Sequence, residues 1–112
     1  MKIAFTTKGT QWDSEMDPRF GRTEYFVFYD EDKKEITSYD NRDAGNDAHG
    51  AGPKTAQKIF ELKADVLITG NGPGGNAAAV MNKTGMSTSV GAGEMTVKEA
   101  YNAFRNGVLK KA

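Results

Sequence analysis

One stretch leaves few folds open to this chain. It runs from Asp65 to Met81 and reads Asp-Val-Leu-Ile-Thr-Gly-Asn-Gly-Pro-Gly-Gly-Asn-Ala-Ala-Ala-Val-Met. Val66 to Thr69 has the length and composition of a strand. The run breaks at Gly70, Gly72, Pro73, Gly74 and Gly75, then restarts as an alanine-rich helix from about Asn76. Strand, glycine loop and helix in that order aim several backbone N–H groups at one point, and the helix dipole adds to their field. Such a point favours anions.

Gly70, Gly72 and Gly75 also spell G-x-G-x-x-G. The dinucleotide fingerprint opens an early strand–helix unit and is followed about 20 residues later by an acid for the ribose. Here the loop lies past the middle of a 112-residue chain, and the acid nearest that offset, Glu94, sits in a second glycine loop. The spacing therefore argues against a dinucleotide site. A tight turn with close strand–helix packing explains the glycines equally well.

A chain of this length makes a single domain, residues 1–112, with room for a real core. Fifteen basic and fifteen acidic side chains cancel, which argues against nucleic acid or an anionic membrane as partner. No apolar run reaches transmembrane length, and Met1-Lys2-Ile3-Ala4-Phe5 enters a strand at once, so a cytoplasmic protein is expected. The absence of cysteine excludes disulfides, a thiolate nucleophile and cysteine-ligated iron–sulfur or zinc sites.

Along the chain, Lys2 to Thr7 reads as a strand with Ile3 and Phe5 on one face and Ala4 and Thr6 on the other. A long loop, 8–22, carries Trp12, Met16 and Phe20, which argues for order. Tyr25 to Tyr29 is an aromatic strand apolar on both faces, hence interior to a sheet. Asp30 to Lys34 is a solvated hairpin turn, and about Glu35 to Tyr39 returns antiparallel as an edge strand. A helix opens at His49-Gly50-Ala51-Gly52-Pro53 and runs to about Leu62, with Gly52, Ala56, Ile59 and Phe60 as its apolar stripe. After the glycine loop, Asn76 to Lys83 is a short helix closed by Gly85, and Met86 to Val90 a last strand. Gly91-Ala92-Gly93-Glu94-Met95 precedes a final helix with a Thr96/Glu99 capping box and an inward face of Val97, Ala100, Tyr101 and Phe104.

The order β-β-β-α-β-α-β-α predicts a three-layer α/β sandwich. Its mixed five-stranded sheet is ordered 3-2-1-4-5, with strand 2 antiparallel, and carries three helices. The carboxyl ends of strands 1, 3, 4 and 5 then present loop 8–22, the helix start at 49–54, loop 70–76 and loop 91–95 along one edge. Ligands of open α/β sheets bind at such an edge.

Asp17-Pro18-Arg19-Phe20-Gly21-Arg22 with Glu24-Tyr25-Phe26, Asp47-Ala48-His49-Gly50-Ala51-Gly52, and Gly70-Asn71-Gly72-Pro73 with Asn76-Ala77 together resemble the dinitrogenase iron–molybdenum cofactor biosynthesis family. That family includes NifX, the carboxyl-terminal part of NifB and small stand-alone relatives such as the molybdenum–copper orange protein. The resemblance covers essentially the whole chain. It implies a ribonuclease H-like fold, in agreement with the order above. It also implies a non-enzymatic carrier of a preformed metal–sulfur cluster, of molybdenum–copper sulfide or iron–molybdenum precursor type, exchanged with a donor or acceptor protein. Several relatives carry a cysteine near the glycine loop; here Asn71-Gly72-Pro73-Gly74-Gly75 has none, so attachment through a thiolate is excluded.

On that reading the candidate cofactor-binding residues are Arg19, Phe20, Gly21, Arg22, His49, Gly50, Gly52, Asn71, Gly72, Gly74, Gly91 and Gly93, with His49 also a candidate metal ligand. Glycine-loop N–H groups and cations solvate an anionic cluster that brings its own sulfide. Lys8 and Lys54 border two of the loops. Trp12, Met16, Phe20 and Met95 offer a soft apolar wall. Each residue has a plainer role too. Arg22 can pair with Asp17 or Glu24, Phe20 can plug the core, His49 can simply enter a helix, and Met16 and Met95 can pack. A sensor of small anions or nucleotides on the same glycine edge is the alternative function. Nuclease chemistry would need clustered carboxylates, and the first strand supplies none.

Overall fold

In the structure, a computed structural model, residues 1–42, 51–72, 81 and 83–111 are described. The strands are β1 (Lys2–Thr7), β2 (Tyr25–Asp30), β3 (Glu35–Asp40), β4 (Val66–Ile68), β5 (Ser87–Val90) and β6 (Lys110–Lys111), and the continuous helices are α1 (Ala51–Glu61) and α2 (Val97–Arg105). They form one sheet in the order β3-β2-β1-β4-β5-β6. β2 runs antiparallel to both β1 and β3, whereas β1, β4 and β5 are mutually parallel.

The alternation in β1 splits the core into two layers. Ala4 packs with Phe20, Phe26 and Phe28 against Ala56 and Ile59 of α1. Ile3 and Phe5 pack with Val27, Val66 and Ile68 against Val97 and Ala100 of α2. Each helix thus covers its own face of the sheet, which gives the three-layer α/β sandwich expected from the element order. α2 starts with the full capping box: Thr96 Oγ1 accepts from the Glu99 amide at 3.2 Å, and Glu99 accepts from the Thr96 amide at 2.9 Å.

Among the described residues, two details differ from the expectation. The sheet has six strands instead of five. After Gly107, at a φ of 71°, the chain turns back, and Lys110 and Lys111 pair antiparallel with Val90 and Ser89. Two exposed lysines carry no hydrophobic period, so nothing in their sequence marks a strand. Phe60, assigned to the inner stripe of α1, is 46% exposed while Ile59 is fully buried. It lies beside an open cleft of about 400 Å³ with Glu61, Lys63, Ala64, Asp65 and Thr84. The helix expected over 76–83 lies mostly outside the described residues; Met81, Lys83 and Thr84 are helical, and Met81 joins the α1 side of the core.

Candidate functional site

Loop 8–24 is built as a strap across the ends of the parallel strands. Its first half is pinned beside α2: the Lys8 amide donates to Glu15, Met16 to Met95, Val97 to Ser14 and Lys98 to Trp12, at 2.8 to 3.0 Å. Trp12 fills the space behind it, with ring centroids 5.2 Å from Tyr29 and 5.5 Å from Tyr101. Its second half holds Asp17 to Arg22. The Asp17 amide donates to the Thr6 carbonyl at 2.8 Å, and Thr6 Oγ1 returns a bond to the Asp17 carbonyl at 2.7 Å. Thr6 Oγ1 also lies 2.8 Å from Thr69 Oγ1, which ties the ends of β1 and β4 to the strap.

Pro18 is the contact point of three loops. Its carbonyl accepts the Asn71 amide at 2.8 Å. A Cβ on Gly70 would lie 2.6 Å from Pro18 Cα and 2.8 Å from Gly93 Cα, closer than real Cβ atoms approach such groups. Gly93 in turn meets Pro18 and Gly70, with 3.1 Å from its would-be Cβ to the Pro18 ring and 3.3 Å to Gly70 Cα. The Gly91 amide donates to Gly70 at 3.1 Å, and Gly91 has a φ of 100°, a backbone state that glycine takes without penalty. Gly70 and Gly93 therefore have a packing reason to be glycine, and Gly91 a conformational one. The N–H groups of Asn71 and Gly91 are engaged between loops.

Gly21 ties the strap to α1 and to the end of β3. The Gly21 carbonyl accepts from Thr55 Oγ1 of α1 at 3.2 Å and from Asn41 Nδ2, just past β3, at 3.3 Å. Asn41 Nδ2 also reaches the Thr23 carbonyl at 3.0 Å, and Asn41 and Thr55 are both buried. The strap is thus fastened through Gly21 to β3 and α1 and through Met16 and Pro18 to loops 70–72 and 91–95.

Asp17 is the electrostatic centre of this rim. Its carboxylate is fully buried and accepts from the Arg19 amide at 3.0 Å, Arg19 Nε at 3.0 Å, Arg19 Nη2 at 2.9 Å and the Glu24 amide at 3.4 Å. Burial alone would raise the Asp17 pKa, but the bonds from Arg19, with a smaller contribution from the Glu24 amide, outweigh it and hold the pKa below the usual carboxylate value. The same bonds raise the Arg19 pKa, while its side chain stays 53% exposed.

The expected site residues divide as follows. Arg19, Gly21, Asn71, Gly72, Gly91 and Gly93 lie on the loops gathered around Pro18, and Arg22 is an exposed neighbour on the same strap. Phe20 is 5% exposed and faces the α1 side of the core, edge-on to Phe26 at 6.2 Å. The four residues expected to form one soft wall are divided by the sheet: Trp12, Met16 and Met95 pack on the α2 side and Phe20 on the other. His49, Gly50 and Gly74 lie outside the described residues; Gly52 and Lys54 are placed in α1 by their backbone alone. Among the described residues, no three His, Cys, Asp or Glu side chains are grouped to hold a metal ion. Also among them, no helix is long and apolar enough to cross a membrane.

Asp17, Thr6, Thr69, Asn41 and Thr55 went unassigned as site-building residues. Asp17 was the one with a signal, because Asp-Pro-Arg is a sequence in which an aspartate can accept the amide two residues on. Thr6 and Thr69 follow the paired residues Phe5 and Ile68, so the strand order itself brings them together.

The dinitrogenase iron–molybdenum cofactor family matches residues 1–107. The chain belongs to that family. Among solved structures it is similar to the apo form of the orange protein from Desulfovibrio gigas, at 33% identity over 99% of this chain and 92% of that one, with a TM-score of 0.91. It is also similar to a candidate NifB protein from Thermotoga assigned to the DUF35 family, at 32% identity over 98% and 91% of the two chains, with a TM-score of 0.85. No curated protein matches. Family and neighbours point to the handling of iron–molybdenum cofactor or a related metal cluster.

Proposed function

We propose that this chain is a non-enzymatic carrier that holds a preformed anionic metal–sulfur cluster, without covalent attachment, on the rim centred on Pro18. The cluster is cargo, and it is of the molybdenum–copper sulfide or iron–molybdenum precursor type. The observation that carries the reading is the convergence on Pro18 of the strap that carries Asp17 to Arg22 with both glycine loops. The family assignment over residues 1–107 and a similar protein solved as an apo form add support. A chain without cysteine holds such a cargo through charge and hydrogen bonds. Arg19 and Arg22 supply cationic donors, and Gly21 and Gly72 let the cargo approach the main chain closely. His49, Gly50, Gly52 and Gly74 belong to the same set on sequence grounds, with His49 as a further metal ligand. The carrier is cytoplasmic and passes its cargo between a donor and an acceptor protein.

The test is anaerobic purification from the native source, followed by metal and acid-labile sulfide analysis and a visible spectrum. Molybdenum with copper or iron, stoichiometric sulfide and charge-transfer bands are expected. Colourless protein that also takes up neither tetrathiomolybdate with copper(I) nor an iron–molybdenum precursor would overturn the reading. Bound phosphate compounds would then favour a small-anion or nucleotide sensor.

A further inference from the structure

Two arginines of the described chain grip an aspartate two residues earlier, and their settings differ. Arg42 holds Asp40 through Nη2 at 2.7 Å and Nε at 3.0 Å, with 62% and 50% of the two side chains exposed. Both partners are half in water, and the Arg42 guanidinium lies over the Tyr25 ring, 5.2 Å from its centroid. Arg19 holds Asp17 in the same fork, but Asp17 is fully buried and its carboxylate is fixed by the amides of Arg19 and Glu24. The main chain of Asp17 is fixed in turn by both bonds to Thr6. An immovable carboxylate imposes its direction on the guanidinium.

A guanidinium has five N–H donors in a planar fork. In Arg19, Asp17 occupies the Nε donor and one of the two on Nη2. The remaining donors lie on the edge turned away from Asp17, on a side chain that is 53% exposed and one residue from the Pro18 contact of the three loops. A free surface arginine spends rotamer entropy each time it meets a ligand. This one has already spent it.

We propose that Asp17 is a positioning residue for the cargo site: it grips one edge of Arg19 and presents the opposite edge, preorganised, to the anionic cluster. The proposal rests on the carrier reading above. Arg19 makes the contact and Asp17 acts only through it. A lysine at position 19 would keep the charge but could not fork to Asp17 and still offer a fixed planar edge.

The experiment titrates the purified chain with tetrathiomolybdate and copper(I) and follows the visible charge-transfer spectrum. It compares wild type, Arg19→Ala, Arg19→Lys, Asp17→Asn and the Asp17→Asn/Arg19→Ala double variant, each checked for folding by circular dichroism. Wild type takes up the cargo. Arg19→Ala weakens it by about tenfold or more, as expected for loss of a charge-assisted hydrogen bond, and Arg19→Lys weakens it nearly as much. Asp17→Asn weakens it and shifts the charge-transfer band, and the double variant is no weaker than Arg19→Ala alone. Wild-type affinity in Arg19→Lys or in folded Asp17→Asn would overturn the proposal, as would fully additive losses in the double variant. If Asp17→Asn does not fold, Arg19→Lys decides, since its side chain is exposed. Failure of wild type to take up either this cluster or an iron–molybdenum precursor offered in its place overturns the carrier reading and this proposal together. Binding by wild type that is indifferent to Arg19 overturns this proposal alone.

Discussion

The Asn71 amide donates to the Pro18 carbonyl at 2.8 Å, so the glycine loop after β4 and the strap after β1 are one piece of structure. Fifty-three positions separate the two residues in the chain, the difference between 71 and 18. The bond has a cost for recognition, because that N–H is no longer offered to a ligand. In exchange, it sets Arg19 and Gly72 on the same rim. Anion recognition at this edge thus falls to side-chain cations and to the glycines not engaged between loops.

Stability should report the loop contact directly. Gly70→Ala places a methyl 2.6 Å from Pro18 Cα and 2.8 Å from Gly93 Cα, and both are backbone atoms that cannot rotate away. Overpacking of this kind costs about 1–3 kcal/mol, and rigid neighbours put the expected loss near the top of that range. Gly93→Ala approaches nothing closer than the Pro18 ring at 3.1 Å and Gly70 Cα at 3.3 Å, so its loss is smaller. Urea denaturation of the two variants checks the order, and equal stabilities would show that the loops can part freely.

Acid should weaken the rim before it unfolds the core. The Asp17 pKa is held below its ordinary value, with burial opposing and the bonds from Arg19 prevailing. A carboxylate with a depressed folded-state pKa contributes stability above its unfolded pKa and loses it as pH falls through the folded value. Wild type should therefore lose stability in acid, from about pH 4 downward, and Asp17→Asn should show a flatter acid limb. At neutral pH the same substitution leaves the Arg19 and Glu24 amides with a poorer acceptor, at about 1–3 kcal/mol for an unsatisfied buried group. Thermal unfolding of both proteins between pH 2 and pH 7 measures the difference. Parallel curves would exclude Asp17 as the titrating group.

Much of this architecture was legible because single features decided it. Asp30 to Lys34 is polar enough to force a hairpin, and the alternation of Ile3, Ala4 and Phe5 fixes two covered faces. Crossover handedness then orders the remaining strands. The candidate site was less legible, because its residues act through contacts between distant segments. Arg22 reads as a partner for Asp17 or Glu24, and the fork that Asp17 makes to Arg19 is not legible in the spacing. The fork is local: the Arg19 amide is already bonded to Asp17 Oδ1, so the nearer guanidinium needs no loop movement to reach it. Gly70 and Gly93 read as anion loops from spacing, yet the space beside them is filled by Pro18, which spacing cannot show.

The hydroxyl pair between β1 and β4 should behave as a coupled unit. Thr6 Oγ1 bonds to the Asp17 carbonyl at 2.7 Å and lies 2.8 Å from Thr69 Oγ1, and both threonines are fully buried. Thr6→Val keeps the shape but strands the Thr69 hydroxyl and the Asp17 carbonyl, for about 1–3 kcal/mol per stranded group. Thr69→Val removes one partner and leaves Thr6 satisfied by Asp17, so it costs less. The double variant should be more stable than the two single losses added together, with a coupling of about 0.5 kcal/mol or more. A double-variant cycle by chemical denaturation tests this, and strict additivity would show that the two hydroxyls do not sense each other.

Neighbouring positions on α1 should respond in opposite ways to loss of their side chains. Ile59 is fully buried among Ala4, Phe28 and Leu67 in the α1-side core, and Ile59→Ala should cost about 2–5 kcal/mol through lost transfer energy and the cavity left behind. Phe60 follows it directly but is 46% exposed at the open cleft by Glu61 and Lys63. Phe60→Ser should stay within about 0.5 kcal/mol of wild type, as surface changes do. The helix turns 100° per residue, which is enough to carry one side chain into the core and the next to its border. If Phe60→Ser proved as damaging as Ile59→Ala, the inner stripe of α1 would have to include Phe60 after all, and the helix would be rotated about its axis from the position described.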